Sequence, residues 1–238
     1  MPADKAKTGI KGFDELVGGG LPRGRTILLT GSGGTGKTIF GMQFLYNGAL
    51  AGEPGVYLTL EEKPDNIRQE MAIFGMDIPK VEKTGKLAII DASLIRLGLE
   101  SDEKFTLSPE NFDINHLLQN LLVTVRAIGA KRVVIDALPS LDVLLDGDLS
   151  KIRNAIIEIN YLLQANGLTT MCLDENPSGT ESYSRHGVEE FVVDGVIILS
   201  KIEALDKRSM TIAKMRMTKH ELKPIDFDIV AGAGLVLS

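Results

Sequence analysis

One short glycine-rich segment limits the folds available to this chain. Residues 31–38 read GSGGTGKT, which matches the phosphate-loop pattern G-x-x-x-x-G-K-[ST]. An apolar run at 26–30, TILLT, precedes the loop and predicts a buried strand, and a helical pattern follows it. Glycines let backbone N–H groups curl around phosphate oxygens, and a helix N-terminus adds its positive dipole end. Because both flanks are right, an incidental glycine-rich turn that happens to carry a lysine is the weaker interpretation.

The side chains of this loop predict a nucleotide site that includes a metal ion. Lys37 would reach the β- and γ-phosphates of a nucleotide, and the Thr38 hydroxyl would bind Mg²⁺. The predicted nucleotide-binding residues of this segment are Gly31, Ser32, Gly33, Gly34, Thr35, Gly36, Lys37, Thr38 and Ile39.

Strands and helices alternate through most of the chain. After the loop, further strands are predicted at 55–60, 87–91, 132–136 and 168–174, with helical patterns between them, including one from Asn111 to Gly129. This alternation predicts an α/β fold with a mostly parallel sheet covered by helices on both faces. After about Val188, apolar segments at 196–200, 210–217 and the C-terminus follow one another without helices. They predict antiparallel strands that extend the sheet.

Composition narrows the class of protein. The 238 residues can bury a full core, and we expect one domain over 1–238, because no repeat or linker interrupts the chain. Lys and Arg number 26 against 32 Asp and Glu, so the strong basic field typical of nucleic-acid binding is absent. The single cysteine, Cys172, excludes an intrachain disulfide framework, and no apolar run is long enough to span a bilayer. We therefore expect a cytoplasmic protein without membrane attachment.

Acidic residues stand at the ends of two predicted strands. The carboxyl ends of parallel strands face the ligand crevice, so Asp136 would help to hold the Mg²⁺ shell. Glu61 and Glu62 follow the strand at 55–60, and a carboxylate there could orient and polarise an attacking water. A solvated helix start explains this pair equally well on local grounds, because Pro64 follows and acids favour a helix N-terminus.

Five separated segments together resemble the KaiC-type branch of the RecA-like ATPases. In chain order they read KTGIKGFDELVGGGLPRG, EEKPDNI, RVVIDALPSL, SRHGVEEFVVDGVIILSKIE and KMRMTKH. The resemblance runs from about Thr8 to the C-terminus and covers one such unit, so the chain is similar to single-domain archaeal KaiC-like or RadA-like ATPases. It implies a RecA-like P-loop NTPase fold, with ATP and Mg²⁺ as ligands and ATP hydrolysis as the activity.

The resemblance also implies a role for cations near the C-terminus. The family's K-x-R-x-x-x-H segment faces the nucleotide of a neighbouring subunit, and here it reads Lys214, Arg216 and His220. Cations in that place would stabilise the charge that develops on the transferring phosphoryl group. Strand alternation predicts Lys214 and Arg216 on one face, with Met215 and Met217 on the other. Two solvated cations on an amphipathic strand are the alternative interpretation.

A residue that acts on a neighbour's nucleotide implies an assembly. ATPases of this type form rings, commonly hexamers, so the resemblance predicts a homohexamer with shared sites. The family's paired glutamates activate water, which favours Glu61 and Glu62 as catalytic residues. Two alternatives are a nucleotide-gated regulator or scaffold that turns over slowly and binds an unidentified protein, and a RadA-like ATPase associated with DNA recombination or repair. The excess of acidic over basic residues and the scarcity of aromatic residues argue against the DNA-binding alternative.

Some residues depart from the family pattern or have no assigned role. The segment at which one half of double-domain KaiC phosphorylates itself carries Glu190 and Phe191 here and no hydroxyl, so self-kinase activity is not expected. Met217 stands where the family often has glycine. Glu175 could lie near the γ-phosphate as a sensor, although a loop acid is the favoured interpretation. His186 lies in a turn with no metal-ligand spacing. The cations around Lys201 are interpreted as a solvated hairpin tip.

Overall fold

Helices and strands follow one another in nearly the predicted order. The computed structural model describes residues 4–95, 98–107, 113–176 and 182–237. In chain order the elements are β1 (Lys5–Ala6), α1 (Phe13–Leu16), β2 (Leu21–Pro22), β3 (Thr26–Gly31), α2 (Lys37–Leu50), β4 (Gly55–Thr59), α3 (Pro64–Ile73), α4 (Ile78–Lys83), β5 (Leu87–Asp91), α5 (Ile114–Ile128), β6 (Arg132–Asp136), α6 (Leu141–Leu144), α7 (Leu149–Ala165), β7 (Thr169–Asp174), α8 (Glu189–Val192), β8 (Gly195–Ile202), β9 (Lys207–Met215), β10 (Ile225–Val230) and β11 (Gly234–Leu237). Short 3₁₀ turns lie at Leu138–Ser140 and Glu203–Leu205.

Nine of these strands form one sheet. Their spatial order is β11-β10-β9-β8-β3-β7-β6-β4-β5. The six strands from β8 to β5 are parallel to one another, and β9, β10 and β11 are antiparallel. The predicted mostly parallel α/β sheet with an antiparallel C-terminal extension is therefore confirmed. The small antiparallel sheet of β1 and β2 was not predicted.

Both faces of the parallel strands are buried, which explains why these strands read as continuous apolar runs. On β4, Tyr57 belongs to the core cluster that α2, α3 and α4 cover. Its neighbours Val56 and Leu58 belong to the opposite cluster, which α5 and α7 cover. No helix in the described ranges is both long and apolar enough to cross a membrane.

Some predicted boundaries differ from those of the structure. The sequence patterns did not predict α4 as a helix separate from α3. Asp113 caps α5 by accepting a hydrogen bond from the His116 N–H, whereas the predicted start at Asn111 lies outside the described residues. The predicted strand at 210–217 is wrong at both ends, because β9 begins at Lys207 and Arg216 and Met217 form a turn. Strand alternation therefore does not extend to Arg216 and Met217.

The turn after β9 places Met217 in the left-handed region, with a φ of 58°. A residue with a Cβ costs about 1 kcal/mol there, which gives a physical reason for the family's glycine. Met217 is 64% exposed, so replacing it loses little burial. We expect Met217→Gly to raise the free energy of unfolding by about 0.5–1 kcal/mol in chemical denaturation, and Met217→Ala to leave it unchanged. A loss of stability in Met217→Gly would contradict this account.

Candidate nucleotide-binding site

The phosphate loop leaves β3 where the order of the strands reverses. β3 lies between β8 and β7, and the chain then crosses both β7 and β6 to reach β4. Such a switch point in a parallel sheet opens a crevice at the carboxyl ends of the strands. Gly31 pairs with Leu199 of β8, and a Cβ on Gly31 would lie 2.3 Å from the Leu199 carbonyl oxygen. Glycine is therefore required where the loop begins.

The loop ends at the N-terminus of α2. Gly36 is the N-cap with a φ of 99°, and no side chain among the described residues caps the helix. The first N–H groups of α2 are thus available to an anion, in line with the helix dipole. The loop from Gly34 to Ile39 lines a cleft of about 240 Å³ together with Glu70 and Ile229. These features fit phosphate groups, and the Ile39 side chain itself packs in the core.

The Lys37 side chain folds back over the phosphate loop. Its ammonium donates to the carbonyl oxygens of Gly31 and Ser32 at 2.7 and 3.1 Å. Burial lowers the pKa of Lys37, and the nearby carboxylates oppose this shift, led by Glu175 and Asp136. The ammonium is therefore held where a β- or γ-phosphate above the loop would meet it.

Two predicted metal-binding residues are in direct contact. The Thr38 hydroxyl, in the first turn of α2, donates to Oδ2 of Asp136 at 3.0 Å. The Tyr57 hydroxyl donates to the same oxygen, a contact that the sequence patterns did not predict. Burial raises the pKa of Asp136, while the hydrogen bonds from Tyr57 and Thr38 lower it. Hydroxyl and carboxylate oxygens are the donors that Mg²⁺ prefers, so this pair fits the ion.

The structure separates the two glutamates that follow β4. Oε1 of Glu61 accepts a hydrogen bond of 2.6 Å from the Oγ of Ser140, a buried residue in the turn after β6. Glu62 is tied through its backbone to the Thr59 hydroxyl. Burial raises the pKa of the Glu62 side chain, with contributions from Glu70 and Asp136. Of these two carboxylates, among the described residues, only that of Glu61 accepts a side-chain hydrogen bond from the turn that follows Asp136, which local sequence patterns could not reveal.

Two more acids lie at the carboxyl end of β7, at the same edge of the sheet. Asp174 is fully buried, and burial, aided by Glu189, raises its pKa to about 7. The Asn176 N–H donates to the Gly31 carbonyl oxygen at 3.4 Å, so the neighbouring Glu175 lies beside the start of the phosphate loop, where its charge opposes the lowering of the Lys37 pKa. The sequence offered one signal for these two acids: they stand at the end of a predicted parallel strand, as Asp136 does, and such strand ends face the ligand crevice.

His186 has a structural contact on each ring nitrogen. Nε2 lies 2.5 Å from Oδ1 of Asp142, and Nδ1 contacts the buried carboxylate of Glu189. Burial alone would lower the pKa of His186, but the bonds to Glu189 and Asp142 outweigh it and raise the pKa. The side chain therefore connects α6 with α8 as part of an ion-pair cluster.

The predicted C-terminal cations lie away from the phosphate loop of their own chain. β9 is antiparallel to β8, so its last residues lie beside the start of β8, where the parallel strands begin. The Lys214 ammonium donates to the carbonyls of Glu190 and Val193 at 2.8 and 2.6 Å. Arg216 is exposed, with Nη1 3.5 Å from Oδ1 of Asp194. Lys214 and Arg216 are therefore neighbours, although not through strand alternation.

His220 follows the turn that carries Arg216, with Nδ1 3.2 Å from the Thr218 carbonyl oxygen. A different cation lies beside the loop. The Lys201 ammonium is 4.0 Å from the point that a Cβ on Gly34 would occupy. The hairpin interpretation of Lys201 missed this contact, because it depends on the register of β8 against β3.

Comparison with known proteins identifies the family. The family model described as "ATPase: KaiC" matches residues 6–237. The chain belongs to the KaiC ATPase family. A KaiC-like protein from the hyperthermophilic archaeon Pyrococcus horikoshii OT3 has a crystal structure that matches with a TM-score of 0.85 and 42% identity, over 100% of both chains. This match confirms the RecA-like α/β fold.

Proteins of two different lengths are similar in sequence to this chain. A UPF0273 protein of Pyrococcus furiosus is 38% identical over 227 residues, which cover 94% of this chain and 90% of the relative. The circadian clock oscillator protein KaiC of Parathermosynechococcus lividus is 38% identical over 219 residues, which cover 91% of this chain but 39% of that protein. The resemblance to single-unit KaiC-like proteins is thus confirmed.

Proposed function

We propose that this KaiC-family chain binds ATP with Mg²⁺ and hydrolyses it to ADP and phosphate, at sites that neighbouring subunits of a ring complete. One observation carries most of the proposal: four side chains with complementary chemistry converge at the N-terminus of α2. They are Lys37, Thr38, Asp136 and Glu61. A phosphate cradle, two oxygen donors for a cation and a held carboxylate are the parts that phosphoryl transfer to water requires.

Each group has one task in the proposed reaction. Lys37 and the free N–H groups of α2 bind the β- and γ-phosphates. Thr38 and Asp136 hold Mg²⁺, which when bound neutralises phosphate charge and orients the phosphate oxygens. Glu61, oriented by Ser140, accepts a hydrogen bond from the attacking water and takes its proton. The water oxygen bonds to the γ-phosphorus as the bond from that phosphorus to the β–γ bridging oxygen breaks, and ADP leaves.

The cations at the end of β9 and in the turn after it are assigned to the neighbouring subunit's site. In their own chain Lys214 and Arg216 lie at the start of β8, whereas the phosphate loop follows the far end of β3. A head-to-tail ring brings one such edge against the opposite edge of the next copy. Arg216 is exposed, and its one ion pair within the described ranges, to Asp194, is long at 3.5 Å, so it can reach across that boundary at little cost in stability. We infer a homohexamer from the family resemblance.

The proposal is tested by measuring the mass of the native assembly together with the rate of ATP hydrolysis. Purified chain should release phosphate from ATP when Mg²⁺ is present, and native mass spectrometry should detect a ring with Mg·ATP bound. Lys37→Ala should weaken ATP binding by at least about 100-fold, because its half-buried ammonium is the cation of the cradle. Lys80→Ala, on the exposed surface of α4, is the control and should bind ATP normally.

The outcomes separate the proposal from its main alternative. If the parent chain does not retain ATP with Mg²⁺ supplied, the proposed function is wrong. If it binds ATP and assembles but releases no phosphate above background, the nucleotide-gated regulator is the better description.

A further inference from the structure

We infer that Tyr57 is a positioning residue of the metal site: its buried hydroxyl holds one oxygen of Asp136 and so orients the carboxylate toward Mg²⁺. This inference rests on the proposed function and adds a residue to it. Tyr57 would touch neither the nucleotide nor the ion, because its ring lies under α2 in the core. We assign its effect to Asp136, with which it shares a hydrogen bond, and not to the Thr38 hydroxyl that also lies near the Tyr57 oxygen.

The surroundings of Tyr57 show that its hydroxyl has a specific partner. The residue lies in the middle of β4, is fully buried and has the aliphatic neighbours Val56 and Leu58. A buried hydroxyl must find a hydrogen-bond partner or cost free energy, whereas phenylalanine would fill the same space without that requirement. The partner of Tyr57 is Oδ2 of Asp136.

Sheet register explains how the hydroxyl reaches this oxygen. β4 and β6 are adjacent and parallel, and Thr59 pairs with Asp136 while Tyr57 pairs with Val134. Residues two apart on a strand share a face, so Tyr57 and Asp136 both lie on the side that α2 covers. Thr38 is in the first turn of α2 and donates to the same Oδ2. Three separate elements therefore converge on one carboxylate oxygen.

This convergence leaves the second oxygen of Asp136 for the metal shell. Among the described residues, the side-chain hydrogen bonds to Asp136 fall on Oδ2 and none falls on Oδ1. Thr38 is itself proposed to bind the ion, so its bond to Asp136 cannot orient the carboxylate independently. Tyr57 lies outside the metal shell and supplies that independent restraint. Without it, the carboxylate keeps only the bond from Thr38, and its orientation is less restricted.

The test measures how much Mg²⁺ improves nucleotide binding. The dissociation constant of ADP is measured by calorimetry in excess EDTA and in excess Mg²⁺, for the parent and for Tyr57→Phe. The phenylalanine keeps the ring and removes only the oxygen. We expect the constant in EDTA to stay within twofold and the improvement that Mg²⁺ brings to fall about tenfold, the size of a hydrogen bond to a charged group. Electron paramagnetic resonance of Mn²⁺ with ADP should show a similar loss of cation affinity.

Two further variants separate positioning from a structural effect. Tyr46→Phe removes another tyrosine hydroxyl from beneath the same sheet face, one that contacts the Asp77 N–H at 3.4 Å, and should change neither constant. In an Asp136→Asn background, Tyr57→Phe should cause no further loss of cation affinity, because its only proposed route is gone.

Each contrary result has a distinct meaning. An equal loss of ADP affinity in EDTA and in Mg²⁺ would show a merely structural role for Tyr57 and overturn the inference. Unchanged Mg²⁺ dependence in Tyr57→Phe would overturn the inference alone, provided that the parent binds Mg·ADP. A parent that gains no affinity from Mg²⁺ would overturn the proposed function as well.

Discussion

Glu61→Gln is expected to lower kcat for ATP hydrolysis by at least about 100-fold while the dissociation constant for Mg·ATP stays within twofold. Glutamine keeps the size of the side chain and can still accept the hydrogen bond from Ser140, whose Oγ lies 2.6 Å from Oε1 of Glu61. What the amide loses is the negative charge that polarises water and the capacity to take its proton. Phosphate release under saturating ATP, together with equilibrium ATP binding, measures the two quantities separately.

Two neighbouring variants show whether the effect belongs to Glu61 in particular. Glu62→Gln should reduce kcat far less, because Glu62 is held through its backbone and its carboxylate has no donor comparable to Ser140 among the described residues. Ser140→Ala should lower kcat about tenfold without changing ATP binding, since it releases the Glu61 side chain but leaves its charge. Turnover at the parent rate in Glu61→Gln, or a larger loss in Glu62→Gln, would refute the assignment.

Arg216→Ala is expected to lower kcat by about 1,000-fold, the lower range for an arginine that stabilises a phosphoryl-transfer transition state across an interface. The activity should return in rings mixed from two inactive chains, Arg216→Ala and Glu61→Gln. A complete site then forms wherever Glu61 of one subunit meets Arg216 of the next. With equal, random mixing this occurs at roughly a quarter of the boundaries, so roughly a quarter of the parent activity should reappear.

The same experiment distinguishes action across the boundary from action within one chain. If Arg216 served its own nucleotide, every site in the mixed ring would lack one group and no activity would return. Lys219→Ala is the matched control, because Lys219 is an exposed cation just after the turn that carries Arg216. Its kcat should stay close to that of the parent. A similar loss in Lys219→Ala would indicate a general effect of charge at this surface and not a role for one guanidinium.

The candidate site combines residues that are close in the sequence with residues that only folding brings together. Lys37 and Thr38 were predicted together with their roles, since a loop between a strand and a helix fixes their relation to each other over a few residues. Asp136 was predicted because it ends a strand; the structure places its carboxylate against the Thr38 hydroxyl, and its role in binding Mg²⁺ stays a prediction. For Lys214 and Arg216 the structure reports a position only, and their role in the neighbour's site stays a prediction.

Local sequence patterns were enough to predict the phosphate loop, the alternation of strands and helices, and the change to antiparallel strands near the C-terminus. Glycine content, apolar periodicity and strand ends act over a few residues, so the amino-acid order alone determines them. Pairings between distant segments required the folded chain. The bond from Tyr57 to Asp136, the bond from Ser140 to Glu61 and the approach of Lys201 to the loop depend on sheet order and register. A shift of one residue between two strands would turn those side chains to the opposite face, and long-range packing of both cores decides that register.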